Sequence, residues 1–205
     1  MTSFNVLATV DLLSERYLHT LIAAYNSFYN NQTPKHQSKL QLTLLSRRYF
    51  SYLHNSGIAL SDMGTNIQVV YSTDAKEASQ FFKKADVLFM PILEAPGPIV
   101  KNLLICGLPI LCHQTSILRK HIDKTIRLVA GSKNQKEYNE IHAIEDYASM
   151  LEMLYFDPSV QKLMKKKADK KYRRKINAGG SPIGELQLDF VKKRVELVQL
   201  KPTAS

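Results

Sequence analysis

The chain has 205 residues, 44% of them hydrophobic, and 28 Lys and Arg against 18 Asp and Glu give it a net charge of +10. That length suits one ordinary domain with a helical tail, and that apolar content excludes a disordered polymer. No apolar run approaches the ~20 residues that span a bilayer, and the first residues lack the basic flank and apolar core of a signal peptide. The two cysteines, Cys106 and Cys112, sit in apolar stretches. They read as buried thiols of a reducing compartment, and the expected location is cytoplasmic, with peripheral membrane contact as an open option.

In chain order the pattern opens with a β-prone strand over 5–10. A helix over 14–30 follows, with Ser14 as its cap and Leu18, Leu21, Ile22 and Tyr25 on one face. Residues 30–39 read as a polar loop around Pro34. A strand over 40–45 and a helix over 48–55 closed by Gly57 come next. The rhythm continues with a strand at 67–71, a helix at 75–84, a strand at 87–90 and a helix at 98–106 stopped by Gly107. A strand at 109–112, a helical turn or two at 116–122 capped by Thr115 or Ser116, and a strand at 126–129 complete it. Strands alternating with helices predict an α/β fold: a Rossmann-like parallel sheet flanked by helices.

Beyond Gly131 the pattern is helical only. A helix over 143–156 carries Ile144, Tyr147, Met150, Leu151 and Leu154 on one face, and Asp157-Pro158 breaks it. Asp157 or Ser159 starts the next helix, which runs to about Lys175; a turn at 177–182 and an amphipathic helix at 184–200 follow. The expected division is a donor-binding domain over 1–140 and a helical extension over 141–205 that packs on it.

Three stretches carry a resemblance. The first runs from Ala85-Asp86 through Val87-Leu-Phe-Met-Pro-Ile-Leu-Glu94-Ala-Pro-Gly97 to Cys106-Gly107-Leu108-Pro109. The second is Thr9-Val10-Asp11-Leu-Leu-Ser14-Glu15-Arg16 with the helix to Tyr25. The third is Met153-Leu-Tyr-Phe-Asp157-Pro158 and the basic helix after it. In order and spacing they resemble the nucleotide-sugar-binding, carboxyl-terminal half of family 4 retaining glycosyltransferases of the GT-B fold.

That resemblance implies a nucleotide-diphospho-sugar as substrate, no separate cofactor, and an acceptor-binding half supplied by a partner chain or a further domain. It gives Glu94 the catalytic, sugar-facing role and Arg16 the diphosphate. Gly97 opens a helix whose backbone N–H groups can meet phosphate. Arg47 and Arg48 follow the second strand, where they can add phosphate affinity. Asn102 stands where the family has a carboxylate for the ribose diol, Asp11 where it has an arginine, and Ser46-Arg47-Arg48 where it has a glycine-rich turn. No Asp-x-Asp occurs in the sequence, so the transfer implied is metal-independent. The competing reading is an inactive GT-B-like scaffold that holds an anionic partner on its basic face.

The charge is concentrated at Lys162, Lys165, Lys166, Lys167, Lys170, Lys171, Arg173, Arg174 and Lys175. Three- and four-residue offsets place Lys165, Lys166 and Lys170, with Arg173 and Arg174, along one stretch of helix. The readings open for it are a solvated surface, an anionic membrane surface, and nucleic acid.

Overall fold

A computed structural model of the chain describes residues 3–10, 13, 15–46, 64, 66–91, 107–113, 127–130, 140–168 and 170. Six strands are β1 (Phe4–Thr9), β2 (Leu40–Ser46), β3 (Ile67–Tyr71), β4 (Val87–Phe89), β5 (Ile110–His113) and β6 (Arg127–Ala130). The described helices are α1 (Glu15–Asn30), α2 (Pro34–Gln37), α3 (Ala75–Lys84), α4 (Glu140–Phe156) and α5 (Pro158–Ala168). The strands form one sheet in the order β3-β2-β1-β4-β5-β6, and every neighbouring pair is parallel. All six strands read from the sequence are in it. The expected helices at 48–55, 98–106, 116–122 and 184–200, and the turn at 177–182, lie outside the described residues.

A strand covered on both faces reads as a continuous apolar run. Accordingly Val6, Leu7 and Ala8 of β1, Leu42, Leu44 and Leu45 of β2, and Val87, Leu88 and Phe89 of β4 are all buried. Edge strand β3 is less covered: Ile67, Val69 and Val70 are partly buried, and Gln68 and Tyr71 are exposed.

On α1, Leu18, Leu21, Ile22 and Tyr25 are buried as their spacing predicts, and Phe28 extends the stripe. α4 lies beside α1 and runs in the same direction. Three polar links mark the seam: Thr20 Oγ1 to Glu140 Oε1 at 2.7 Å, Gln32 Nε2 to Glu152 Oε1 at 3.4 Å, and His36 Nδ1 to the Tyr155 hydroxyl at 2.7 Å. Tyr147, Leu151 and Leu154 fill the space beneath, while Ile144 and Met150 are partly buried against the same core.

The structure departs from the sequence reading at two places. The loop expected over 30–39 holds a full helical turn, α2, because Pro34 presets its φ at the first position and Thr33 O accepts from both His36 N and Gln37 N at 2.9 Å. α4 begins at Glu140, three residues before Ala143, where Thr20 holds the Glu140 carboxylate. Of the two starts read for α5, Asp157 is the cap: its Oδ1 accepts from Ser159 N at 3.0 Å, Val160 N at 3.2 Å and the Ser159 hydroxyl. These bonds, the Ser159 hydroxyl foremost, hold the Asp157 carboxyl below the usual carboxylate range.

Asp86 ties several elements together just before β4. Its Oδ2 accepts from Asn5 N at 3.0 Å, its own N–H donates to Asn5 O at 2.8 Å, and its Oδ1 meets Lys165 Nζ of α5 at 2.9 Å. Lys165 also reaches Ala85 O at 3.4 Å. The Ala-Asp before the fourth strand thus aligns β4 with β1 and seats α5 at the amino-terminal edge of the sheet.

Candidate functional site

The strand order locates a crevice. From β1 the chain moves outward to β2, and from β4 it moves the opposite way to β5. Segments leaving the carboxyl ends of these two neighbours therefore diverge, and open α/β sheets bind ligands where they part. At this edge the Thr9 hydroxyl lies 3.3 Å from Met90 Sδ, and both residues are buried. Met90 N donates to Leu111 O at 2.9 Å, and Pro91 is buried beside it. Together they place buried Thr9, Met90 and Pro91 side by side at the carboxyl ends of β1 and β4. α1 begins at Glu15, so the positive end of its dipole lies at the same edge and favours negative charge there.

Around them stand the ends of the other strands. Ser46 and Ser72 are buried, and Ser72 N donates to Ser46 O at 2.9 Å, joining β2 and β3. The Ser72 hydroxyl donates to Glu77, which engages that carboxylate in the first turn of α3. Tyr71, 44% exposed, ends β3. His113 ends β5 half-buried, and burial pushes its imidazole below the usual range while Asp146 on α4 opposes the shift.

The neutral form of His113 is therefore favoured by the fold. Its contribution to stability is complete above the unfolded value of about 6.5 and is lost as pH falls from there toward the lower folded value. His113→Gln is expected to flatten this decline, checked by thermal unfolding across that window. An unchanged decline would assign the acid sensitivity to another group.

Among the residues expected to form the site, Arg16 falls in the first turn of α1, on the predicted edge, with its side chain outside the described residues. Arg47, Arg48, Glu94, Gly97 and Asn102 lie outside them as well, as do Asp11, Arg173 and Arg174. Lys165, Lys166 and Lys170 are described: Lys165 is ion-paired with Asp86, and Lys166 and Lys170 are exposed. Sequence reasoning gave no site role to Thr9, Met90 or Ser72. The available signal was modest: a small polar or flexible residue closing each apolar strand.

A depression of about 280 Å³ opens at the opposite, amino-terminal edge, lined by Asn5, Lys39, Gln41, Asn66 and Gln68 among others. Its amides are already engaged. Asn66 Nδ2 donates to Gln37 O and Leu40 O at 2.7 and 2.8 Å, and Gln41 Nε2 donates to Gln68 Oε1 at 2.8 Å. The topology and the α1 terminus favour the carboxyl edge over this shallow hollow. No group of metal-ligating side chains occurs among the described residues.

No protein-family model and no curated protein matches the sequence. Solved structures match its fold. The pneumococcal O-GlcNAc transferase GtfA, solved with UDP and GlcNAc, superposes with a TM-score of 0.62 at 19% identity, over 97% of this chain and 36% of that one. The GtfA/B complex gives 0.64 at 14% identity, over 94% and 36%. A Listeria monocytogenes protein assigned as a UDP-N-acetylglucosamine 2-epimerase gives 0.52 at 15% identity, over 80% and 39%. The chain thus spans little more than a third of the length of each. The fold is the Rossmann-like half of a GT-B architecture.

Proposed function

We propose that this chain is the nucleotide-diphospho-sugar-binding half of a retaining, metal-independent glycosyltransferase, completed by an acceptor-binding half on a partner chain or further domain. The observation that carries the reading is the strand order, in which the chain leaves the carboxyl ends of neighbours β1 and β4 in opposite directions along the sheet, toward α1 and toward Glu94. Glu94 follows buried Pro91 by three residues, and three residues span at most about 11 Å, so Glu94 stays within reach of this edge. The fold matches to a transferase solved with UDP and to a two-protein complex support the donor class and the need for a second half.

In this reading the diphosphate meets the start of α1, Arg16 and the helix expected after Gly97, with Arg47 and Arg48 adding charge. These groups stabilise the leaving diphosphate as its bond to the sugar breaks. Glu94 holds donor-sugar hydroxyls and offsets positive charge growing at the anomeric carbon. Asn102 meets the ribose as a neutral hydrogen-bonding group.

Calorimetry of the chain against UDP-, GDP- and ADP-sugars tests it. Saturable binding to one class is expected, weakened about tenfold or more in Glu94→Ala by loss of charged hydrogen bonds. Asn102→Glu should tighten binding by about 1–2 kcal/mol through a charge-assisted bond to the diol. No binding across the panel would overturn the reading in favour of a scaffold that keeps the fold without the chemistry.

A further inference from the structure

α5 distributes its charge unequally between two faces. Met164 and Ala168 are buried in the core, and Val160 packs partly buried against it. Lys165 is the lysine turned inward, and Asp86 and Ala85 O engage it. Lys162, Leu163, Lys166, Lys167 and Lys170 are all exposed. At about 100° per residue, the positions from Lys162 to Lys167 sweep roughly 140° of the helix surface. No acidic residue occurs from Pro158 to Ala168, and the Asp157 carboxylate just before them is engaged in capping.

We propose that this face docks the protein onto an anionic lipid surface. The face is convex and carries compact ammonium groups on flexible stems, a form suited to a plane of diffuse negative charge. Leu163, 51% exposed, stands within the lysine arc and can dip into the interface between headgroups. The described part of the face offers no groove, no aromatic platform for bases and no arginine fork, all of which favour nucleic acid. The sequence beyond α5 adds Lys170, Lys171, Arg173, Arg174 and Lys175 against the single acidic Asp169.

Its position has a consequence for the rest of the molecule. Asp86 precedes β4, so α5 sits at the amino-terminal edge of the sheet while the crevice opens at the carboxyl edge. Docking through α5 leaves the crevice uncovered. The proposal stands independently of nucleotide-sugar binding, and calorimetry and vesicle binding fail or succeed separately.

The test is co-sedimentation with phosphatidylcholine vesicles, with and without phosphatidylglycerol, beside gel shifts with RNA and duplex DNA at equal phosphate. Wild type should bind only the anionic vesicles and release them as salt rises. Each basic residue at such a surface contributes about fivefold, so Lys162/Lys166/Lys167→Gln should weaken binding on the order of 100-fold. Glutamine keeps the helix propensity, and circular dichroism checks the fold. Leu163→Asn should weaken vesicle binding several-fold at fixed salt, an effect that pure charge attraction does not produce. Equal binding to neutral and anionic vesicles, an unaffected triple variant, unchanged binding in Leu163→Asn, or tighter binding to nucleic acid than to vesicles would each overturn the proposal.

Discussion

Phe28→Ala is expected to lower the unfolding free energy by about 3–5 kcal/mol, the usual range for emptying a phenylalanine site in a packed core. Phe28 is 1% exposed on the inner face of α1. Its ring contacts one aromatic from each neighbouring element: Phe4 of β1 at 6.3 Å in an edge-to-face pair, and Tyr155 of α4 at 6.1 Å, also edge-to-face. Tyr25, one turn earlier on α1, lies 6.3 Å away. Phe4 and Tyr155 touch each other as well, with centroids at 5.6 Å, so the three elements share one aromatic junction. Removing the central ring leaves a cavity that these stiff neighbours cannot close. Urea denaturation measures the effect, and Leu163→Ala, on the surface, should change stability by less than about 0.5 kcal/mol. A loss below about 1.5 kcal/mol in Phe28→Ala would mean that the junction is not a closely packed centre of the core.

Much of this architecture was legible because period and punctuation are local. The continuous apolar runs of β1, β2 and β4 announce strands covered on both faces, and α3 occupies the range its pattern predicts, from Ala75 to Lys84. Boundaries shift where a distant partner intervenes. Thr20 extends α4 back to Glu140, and Thr33 with Pro34 winds a turn out of a segment whose polarity reads as loop.

The strand order itself is not written in any local stretch. It depends on which parallel neighbours the crossovers permit, and that order creates the crevice. The site is legible to a different degree. The sequence places Glu94, Gly97 and Asn102 after β4 by motif alone, whereas Thr9 and Met90 become neighbours only when β1 and β4 pair. The basic block illustrates the same limit. Composition treats its lysines alike, but packing turns Lys165 inward and leaves Lys166 and Lys170 outward.

That inward lysine sets up an unequal pair of substitutions. Asp86→Ala is expected to lower stability by about 2–3 kcal/mol, and Lys165→Met by only about 0.5–1. The carboxylate makes two bonds of different kinds. Oδ2 accepts from Asn5 N at the start of β1, and Oδ1 meets the Lys165 ammonium at 2.9 Å. Removing Asp86 therefore leaves a part-buried backbone donor unpaired as well as a cation without its partner. Removing Lys165 leaves Asp86 still bonded to β1. The side chains of Lys165 and Asp86 are 33% and 20% exposed, so water screens the ion pair and limits its share. Methionine also preserves the packing of the lysine stem against the sheet edge. Asp86→Asn should fall between the two, because its amide oxygen still accepts from Asn5 N while the ionic attraction is gone. Chemical denaturation of the single variants and of Asp86→Ala/Lys165→Met closes the thermodynamic cycle, with a coupling of about 0.5–1 kcal/mol expected. Equal losses in Asp86→Ala and Lys165→Met would assign the whole effect to the ion pair and remove the β1 contact from the account. A neutral Asp86→Ala would mean that β4 and β1 hold their alignment through the ladder alone.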